Sequence, residues 1–87
     1  MDFDHEKVER VVLALLHLNS FGDHGATRAW KSQPWMILDS LHEKRYISNP
    51  VSKAKSIIFT EEGEKLSRKL CEKYFAVRPD GTADLDL

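Results

Sequence analysis

Residues 35–63, WMILDSLHEKRYISNPVSKAKSIIFTEEG, constrain the fold more than any other stretch of the sequence. A helical pattern, a turn-rich ribbon and the start of another helix follow one another there. Pro34 has a fixed φ and no backbone donor, so it suits the position just before a helix, and Trp35 then opens that helix. Leu38 and Leu41 recur at a spacing that keeps one helix face apolar. We therefore expect a helix that begins at Trp35 and packs that face against a core.

The residues after this helix predict a short β-hairpin and then another helix. Ser48-Asn49-Pro50 is a turn, and residues 56–60, SIIFT, are β-branched and aromatic, as is typical of a returning strand. Thr60 is a good N-cap for a helix whose first turn carries Glu61 and Glu62. We therefore expect a hairpin over residues 46–59. The fold class predicted is mainly α with a small β-hairpin (α+β), a winged helix-turn-helix.

The two ends of the domain each predict a helix. Asp4 suits the N-cap of a first helix with a wide apolar face, and Leu66, Leu70 and Tyr74 recur at intervals of four residues along a last helix. These elements place one domain at residues 1–78. Residues 79–87 then form a short acidic tail that we expect to be disordered.

The segment before Pro34 predicts little regular structure. Residues 26–32, ATRAWKS, are polar apart from Trp30, and Lys31-Ser32-Gln33-Pro34 would end any helix soon after it started. We expect one or two helical turns here, as the short second helix of the motif. Trp30 and Trp35 lie on either side of the break, and we expect both indoles to be buried at the joint between the two elements.

Composition excludes several classes of protein. With 87 residues, 41% hydrophobic and 31% charged, the chain is expected to form one globular domain. No apolar run approaches the roughly 20 residues that a membrane span needs. The first residues, MDFDHEKVER, are too polar for a signal peptide, so a cytoplasmic location without membrane contact is expected. The single Cys71 excludes an intramolecular disulfide.

Catalysis is the function that the sequence supports least. The four histidines form neither HExxH, nor an i, i+4 pair, nor a Cys/His array, and no glycine-rich phosphate loop is present. His17, His24 and Asp23 could meet across a loop and hold a metal, but their spacing does not enforce ligand geometry. Cys71 has no base nearby in sequence. We therefore predict that the protein is not an enzyme and uses no cofactor or metal.

The run LHEKRYISNPVSKAKSIIFTEEGEKLSRKL at residues 41–70 resembles the recognition-helix end, wing and following helix of MarR-like and PadR-like winged-helix regulators. Arg45 stands where those regulators usually have glycine. More of the chain, from the first helix through RAWK and LHEK to TEEG, is similar to a family of short bacterial proteins of uncharacterised function. The resemblance implies a winged-helix fold and a bacterial origin, and the second family implies no known activity.

The winged-helix interpretation makes double-stranded DNA a candidate partner, with a regulatory role. Against it, the net charge is −1 and the candidate recognition helix carries Asp39 and Glu43, which would repel phosphates. In its favour, cations precede this helix, end it and recur in the wing, where they could follow a phosphate backbone. The residues that we predict to bind nucleic acid are Arg28, Lys31, Lys44, Arg45, Lys53 and Lys55. The alternative is that these side chains are ordinary solvated surface.

A second hypothesis is an interaction module without DNA binding. The wide apolar face of the first helix, with Leu13 outside its main stripe, suggests a homodimer formed through the first and last helices. Met36 and Phe75 also look exposed in the helical patterns and could meet a protein partner. The alternative for each of these residues is ordinary core packing, because a small domain has few apolar side chains to spare.

Overall fold

The computed structural model describes residues 2–23 and 25–77, and the predicted tail at residues 79–87 lies outside them. The described chain has an α+β fold of three helices and a three-stranded antiparallel sheet. The elements are α1 (His5–Leu18), β1 (Phe21–Asp23), β2 (Ala26–Trp30), α2 (Trp35–Glu43), β3 (Ser56–Ile58) and α3 (Glu61–Phe75). The predicted fold class is therefore confirmed at the level of α+β.

The predicted helix starts are confirmed. The Asp4 carboxylate accepts a hydrogen bond from the backbone N–H of Lys7 at 3.0 Å, and α1 begins at the next residue after the cap. Thr60 caps α3 in the same way, because its Oγ1 accepts from the Gly63 N–H at 3.0 Å. Pro34 precedes α2 as expected. Inside the domain, α1 packs along α3 and also contacts α2 and β2.

The predicted helical turns at residues 26–32 are wrong, because Ala26–Trp30 is the central strand of the sheet. Gly25, with a φ of +82°, lies at the turn between β1 and β2. On its other side β2 pairs with β3, so that Trp30 lies opposite Ser56. Hydrogen bonds to two flanking strands override the weak local preferences of this segment. The described chain therefore has β2 where the second helix of a helix-turn-helix was expected.

The predicted hairpin over residues 46–59 is only partly formed. The chain does reverse at Asn49 and Pro50, and Ile47 forms an isolated antiparallel bridge with Phe59. The N–H of Ser48 also donates to the carbonyl of Ile58 at 2.8 Å. The main partner of β3, however, is β2. Residues 47–59, the ribbon, are thus joined to the rest of the sheet through the pairing of β3 with β2.

The hydrophobic core lies between the three helices and the inner face of the sheet. Leu13 is 1% exposed, so of its two interpretations core packing is correct and an exposed position is wrong. The homodimer through the first and last helices stays a prediction. The prediction that both indoles are buried is also wrong, because Trp30 and Trp35 are each 54% exposed. The buried apolar residues are Val12, Leu13, Ala14, Leu16, Ala29, Leu38, Leu41, Ile47, Ile57, Phe59, Leu70 and Tyr74.

The end of α2 is joined tightly to the start of α3. The N–H of Arg45 donates to His42 O at 2.9 Å and the N–H of Tyr46 donates to Leu41 O at 3.0 Å, which is the Schellman pattern of a helix C-terminus. Arg45 occupies the left-handed position of that motif, with a φ of +65°. Glycine adopts this conformation without a steric cost, whereas an arginine at the same position is strained.

The carbonyl of Tyr46 then packs against the first turn of α3. It accepts a hydrogen bond from the Thr60 N–H at 3.0 Å, while Thr60 Oγ1 donates to the Arg45 carbonyl at 2.7 Å. Gly63 faces this carbonyl so closely that an added Cβ would lie 1.8 Å from the Tyr46 oxygen. Only glycine fits there without moving one backbone against the other.

We expect Gly63→Ala to destabilise the fold by about 3 kcal/mol or more, because the new methyl group collides with backbone atoms that cannot rotate away. Urea unfolding at neutral pH measures the change. Gly22→Ala is the matched control, since nothing lies within 4 Å of a Cβ added at Gly22, and we expect it to change stability by less than about 0.5 kcal/mol. Equal effects of the two substitutions would contradict this account of the junction.

Candidate nucleic-acid interface

The cations of the chain are unevenly distributed along its sequence. Residues 25–38 and 44–60 contain Arg28, Lys31, Lys44, Arg45, Lys53 and Lys55, and they contain no Asp or Glu. The pairing of β2 with β3 brings four of these six cations into one region, because Arg28 lies opposite Ile58 and the N–H of Lys31 donates to the Lys55 carbonyl at 3.0 Å. The fold therefore gathers positive charge around the β2–β3 end of the molecule.

Lys31 is engaged within the chain. Its ammonium group donates to the carbonyls of Pro50 at 2.7 Å and Ser52 at 2.9 Å, and to the Ser52 hydroxyl at 3.2 Å. An ammonium group has three donors, and these three acceptors use them all. Lys31 therefore fastens the turn that begins the loop at residues 50–55, and its charge adds to the local potential without a free donor for a phosphate.

Lys44 is engaged as well, in a contact with α1. Its Nζ lies 2.6 Å from a carboxylate oxygen of Glu9, which is buried on α1 with 6% of its surface exposed. The Ser40 hydroxyl donates to the other oxygen of the same carboxylate. This cluster of Glu9, Ser40 and Lys44 connects α1 to α2, so Lys44 serves primarily as the counter-ion of a buried charge.

The charge state of Glu9 follows from these contacts. Burial by itself raises the pKa of the Glu9 carboxyl, but the hydrogen bonds from Lys44 and Ser40 together outweigh it, so the pKa lies below its ordinary 4.5. The hydrogen bond to Glu9 in turn raises the pKa of Lys44. Both groups are therefore charged at neutral pH, and neither is suited to proton transfer there.

Three of the predicted residues project into solvent. Arg45, Lys53 and Lys55 are exposed, and their side chains form no hydrogen bond or ion pair with other residues in the described part of the chain. Lys53 and Lys55 lie in the loop that enters β3, and Arg45 lies at the α2–α3 junction. These three side chains are the ones with donors available for phosphate.

Arg28 belongs to the outer face of the sheet. Its Nη1 donates to the Ser56 hydroxyl at 3.1 Å, across the β2–β3 pair. On the same face the rings of Phe21 and Trp30 lie with their centroids 5.0 Å apart and their planes inclined by 35°. Aromatic rings and a guanidinium group therefore share one partly exposed sheet surface.

The exposed part of α2 does not suit a DNA duplex. Its first turn presents Trp35 and Met36, which is 78% exposed, and Glu43 is exposed at its end. Asp39 lies between them and is partly exposed. A recognition helix needs cations for phosphates and polar groups for base edges, and this helix offers an apolar start and carboxylates instead. Of the cations predicted to bind nucleic acid, Arg28 lies on the sheet and Lys53 and Lys55 lie in the loop that enters β3.

The structure offers no metal centre among the described residues, where no three His, Cys, Asp or Glu side chains come close enough to hold an ion. His17 lies with Nδ1 3.3 Å from the buried Ser67 hydroxyl. His24, the other histidine of the predicted loop site, lies outside the described residues. Burial raises the pKa of the Cys71 thiol, with the Glu72 charge adding to the effect, which disfavours the nucleophilic thiolate.

None of the helices that the structure describes combines the length and the apolar character needed to cross a membrane.

Residues 4–77 match a family described as "Domain of unknown function (DUF6429)". The chain is also similar to a protein of Sinorhizobium fredii named "Uncharacterized protein y4hR". The two are 40% identical over 75 residues, which is 86% of this chain and 97% of that relative. No solved structure matches the chain. The predicted likeness to a family of short bacterial proteins of uncharacterised function is thus confirmed, whereas these comparisons contain no MarR-like or PadR-like regulator.

We expect the stability that Glu9 contributes to be lost in acid. A lowered pKa in the folded state stabilises the fold fully above the ordinary pKa of 4.5, and this stabilisation disappears as the pH falls through the lowered value. Glu9→Gln lacks the charge at every pH. The difference in unfolding free energy between wild type and Glu9→Gln, from urea unfolding, should therefore be largest at neutral pH and shrink below pH 4.5. A difference that stays constant with pH would contradict the role of the Glu9 carboxylate.

We expect Arg45→Gly to stabilise the fold by about 1 kcal/mol, because the left-handed conformation strains every residue except glycine. The same substitution removes an exposed cation, so it should weaken any binding to nucleic acid while raising the thermal midpoint. Arg45→Ala is the control, since it removes the charge and keeps the strain. If Arg45→Gly and Arg45→Ala are equally stable, the strain at this position is negligible.

Proposed function

The chain belongs to the DUF6429 family, a domain of unknown function, and from that starting point we propose that it is a nucleic-acid-binding protein with a regulatory role. The observation that carries this proposal is the separation of charge described above. Residues 25–38 and 44–60 hold six cations and no carboxylate, and β2–β3 pairing gathers four of those cations. A local concentration of positive charge attracts a polyanion even when the net charge of the protein is −1.

We interpret residues 47–59 as a wing. The order of α2, ribbon and α3 is that of the second half of a winged helix-turn-helix, and the left-handed residue Arg45 ends α2 where such motifs turn into the wing. The strand β2 stands where the motif has its second helix. Without that helix to support it, and with Asp39 and Glu43 on it, α2 is a poor candidate for insertion into a major groove. The wing and the sheet are the better surface.

The available donors define the roles that we assign. Lys53 and Lys55 bind phosphates from the loop at the start of β3, and Arg45 binds a phosphate at the other end of the ribbon. Arg28, held by Ser56, adds positive charge on the sheet face. Lys31 and Lys44, which the sequence also suggested, contribute charge to the surrounding potential, but their ammonium groups are hydrogen-bonded to Ser52 and Glu9.

The alternative function is a dimerisation or interaction module that binds no DNA. Leu13, one of the residues that suggested it, is buried and gives it no support. What still supports it is apolar surface elsewhere, namely the very exposed Met36 and a shallow groove along α1 lined by Val8 and Val11. A molecular mass from light scattering separates monomer from dimer, and a dimer would be compatible with binding nucleic acid through the wing.

We expect Lys53→Ala combined with Lys55→Ala to weaken binding to a labelled duplex or single strand by a similar factor for every base sequence. Each lysine that contacts a phosphate contributes about 1 to the slope of log affinity against log salt concentration, so the double variant should lose up to about 2 from that slope. Fluorescence anisotropy titrations at several salt concentrations measure both quantities. The comparison requires only that binding be detectable at low salt.

The matched control is Lys69→Ala combined with Lys73→Ala, which removes the same charge from exposed positions on α3. If both double variants weaken binding equally, only net charge matters and the wing is not a binding site. If the wild-type protein binds neither duplex nor single strand at low salt, the proposed function itself is wrong.

A further inference from the structure

We propose that the outer face of the sheet binds single-stranded nucleic acid, with an unpaired base stacked on Trp30 and its phosphates held by Lys53 and Lys55. This inference rests on the proposed function and names the form of nucleic acid. Three features of the structure support the inference: the character of the outer face of the sheet, the exposure of Trp30 on that face, and the positive charge beside Trp30.

The two faces of the sheet differ in character because side chains alternate along a strand. Ala29 and Ile57 lie opposite each other and are 0% exposed, so their face is the inner one that packs on the core. Trp30 and Arg28 point to the other face. Phe21 also belongs there, because it lies opposite Arg28 in the register of β1 with β2. The outer face is thus aromatic and cationic at once.

Trp30 is presented as a platform. More than half of its surface, 54%, is exposed, which is unusual for the largest apolar side chain in a small domain. The contact with Phe21, 5.0 Å between ring centroids, supports the indole from one side. The indole is therefore held in position while part of its surface stays open to solvent, as stacking on a base requires.

Charge around Trp30 complements a phosphate backbone. Trp30 lies opposite Ser56, and Lys55 immediately precedes Ser56 in the chain. The end of the sheet that carries the indole is therefore the end next to the exposed lysines.

This combination favours a single strand over a duplex or a protein. In a duplex the base faces are stacked on one another, and a flat aromatic platform reaches a base face only where the bases are unstacked. The exposed lysines beside Trp30 are of a type that protein interfaces tend to lack. Stacking also depends little on sequence, so we expect only a weak preference among bases.

The experiment uses oligo(dT), oligo(U) and a blunt duplex of equal length as probes, titrated at low salt by fluorescence anisotropy. Trp30→Ala should weaken binding to both single strands by about tenfold, since stacking of one base has an effect of this order. Binding to the duplex should change less than twofold. The salt slope should stay at its wild-type value, because the substitution removes no cation.

Trp35→Ala is the matched control, since Trp35 has the same exposed fraction, 54%, but lies on α2. It should leave the affinity for single strands within twofold of wild type. Trp30→Tyr keeps an aromatic ring and should restore most of the affinity lost in Trp30→Ala. Thermal unfolding of each variant verifies that the fold is intact.

A direct signal comes from Trp35→Phe, which leaves Trp30 as the only tryptophan of the chain. The fluorescence emission of Trp30 in this variant should be quenched by oligo(dT) and oligo(U) and unaffected by the duplex. Single-strand binding that Trp30→Ala leaves unchanged, or that Trp35→Ala weakens equally, would overturn the stacking site while the proposed function stands. Absence of binding to all three probes would overturn both. A difference between oligo(dT) and oligo(U) would separate a DNA partner from an RNA partner.

Discussion

The fold depends on one backbone contact, the packing of the Tyr46 carbonyl against the first turn of α3. The carbonyl needs a hydrogen-bond donor, and the Thr60 N–H supplies it. The first turn of α3 also packs so close to this carbonyl that no Cβ fits between them, and Gly63 has none. The contact fixes where α3 starts relative to the end of α2. Since α1 packs along α3, the position of that helix in turn determines where the core closes. A short polar motif, Thr-Glu-Glu-Gly, thereby sets the geometry of a much larger apolar interface.

A buried charge makes the second connection, between α1 and α2. Glu9 lies among apolar residues, where an unpaired carboxylate would be costly, so Lys44 and Ser40 must remain beside it. This requirement also shapes the surface. It occupies the ammonium group of Lys44, just as the carbonyls of Pro50 and Ser52 occupy that of Lys31. Of the six cations predicted to bind nucleic acid, Arg45, Lys53 and Lys55 therefore keep their donors available.

Local features of the sequence predicted what local forces decide, and failed where distant residues decide. The caps at Asp4 and Thr60 and the start of α2 after Pro34 depend on neighbours within one turn, and all three are confirmed. The strand β2 depends on pairing with β3, which is remote in sequence, so a helical turn was predicted in its place. The sequence also misplaced the buried face of α1, because Leu13 was put outside it. Glu9, Leu13 and Leu16 all lie on that face, at spacings of four and seven residues from Glu9. A lone acidic residue in an apolar stripe was the available sign of a buried ion pair with a lysine on another helix.

The exposed tryptophans show why the candidate surface could not be predicted from sequence. An indole in a small domain is ordinarily a core residue. Only the register of β2, in which Ala29 faces the core, places Trp30 on the outer face. That register also brings Trp30 next to the loop bearing Lys55, which is distant from it in sequence. Aromatic surface alone would suggest a protein partner, and lysines alone would suggest ordinary solvated charge. The two features meet at one end of the sheet, where Trp30 lies opposite Ser56 and next to the loop with Lys55. This combination is what suits the surface to an unstacked nucleic-acid strand.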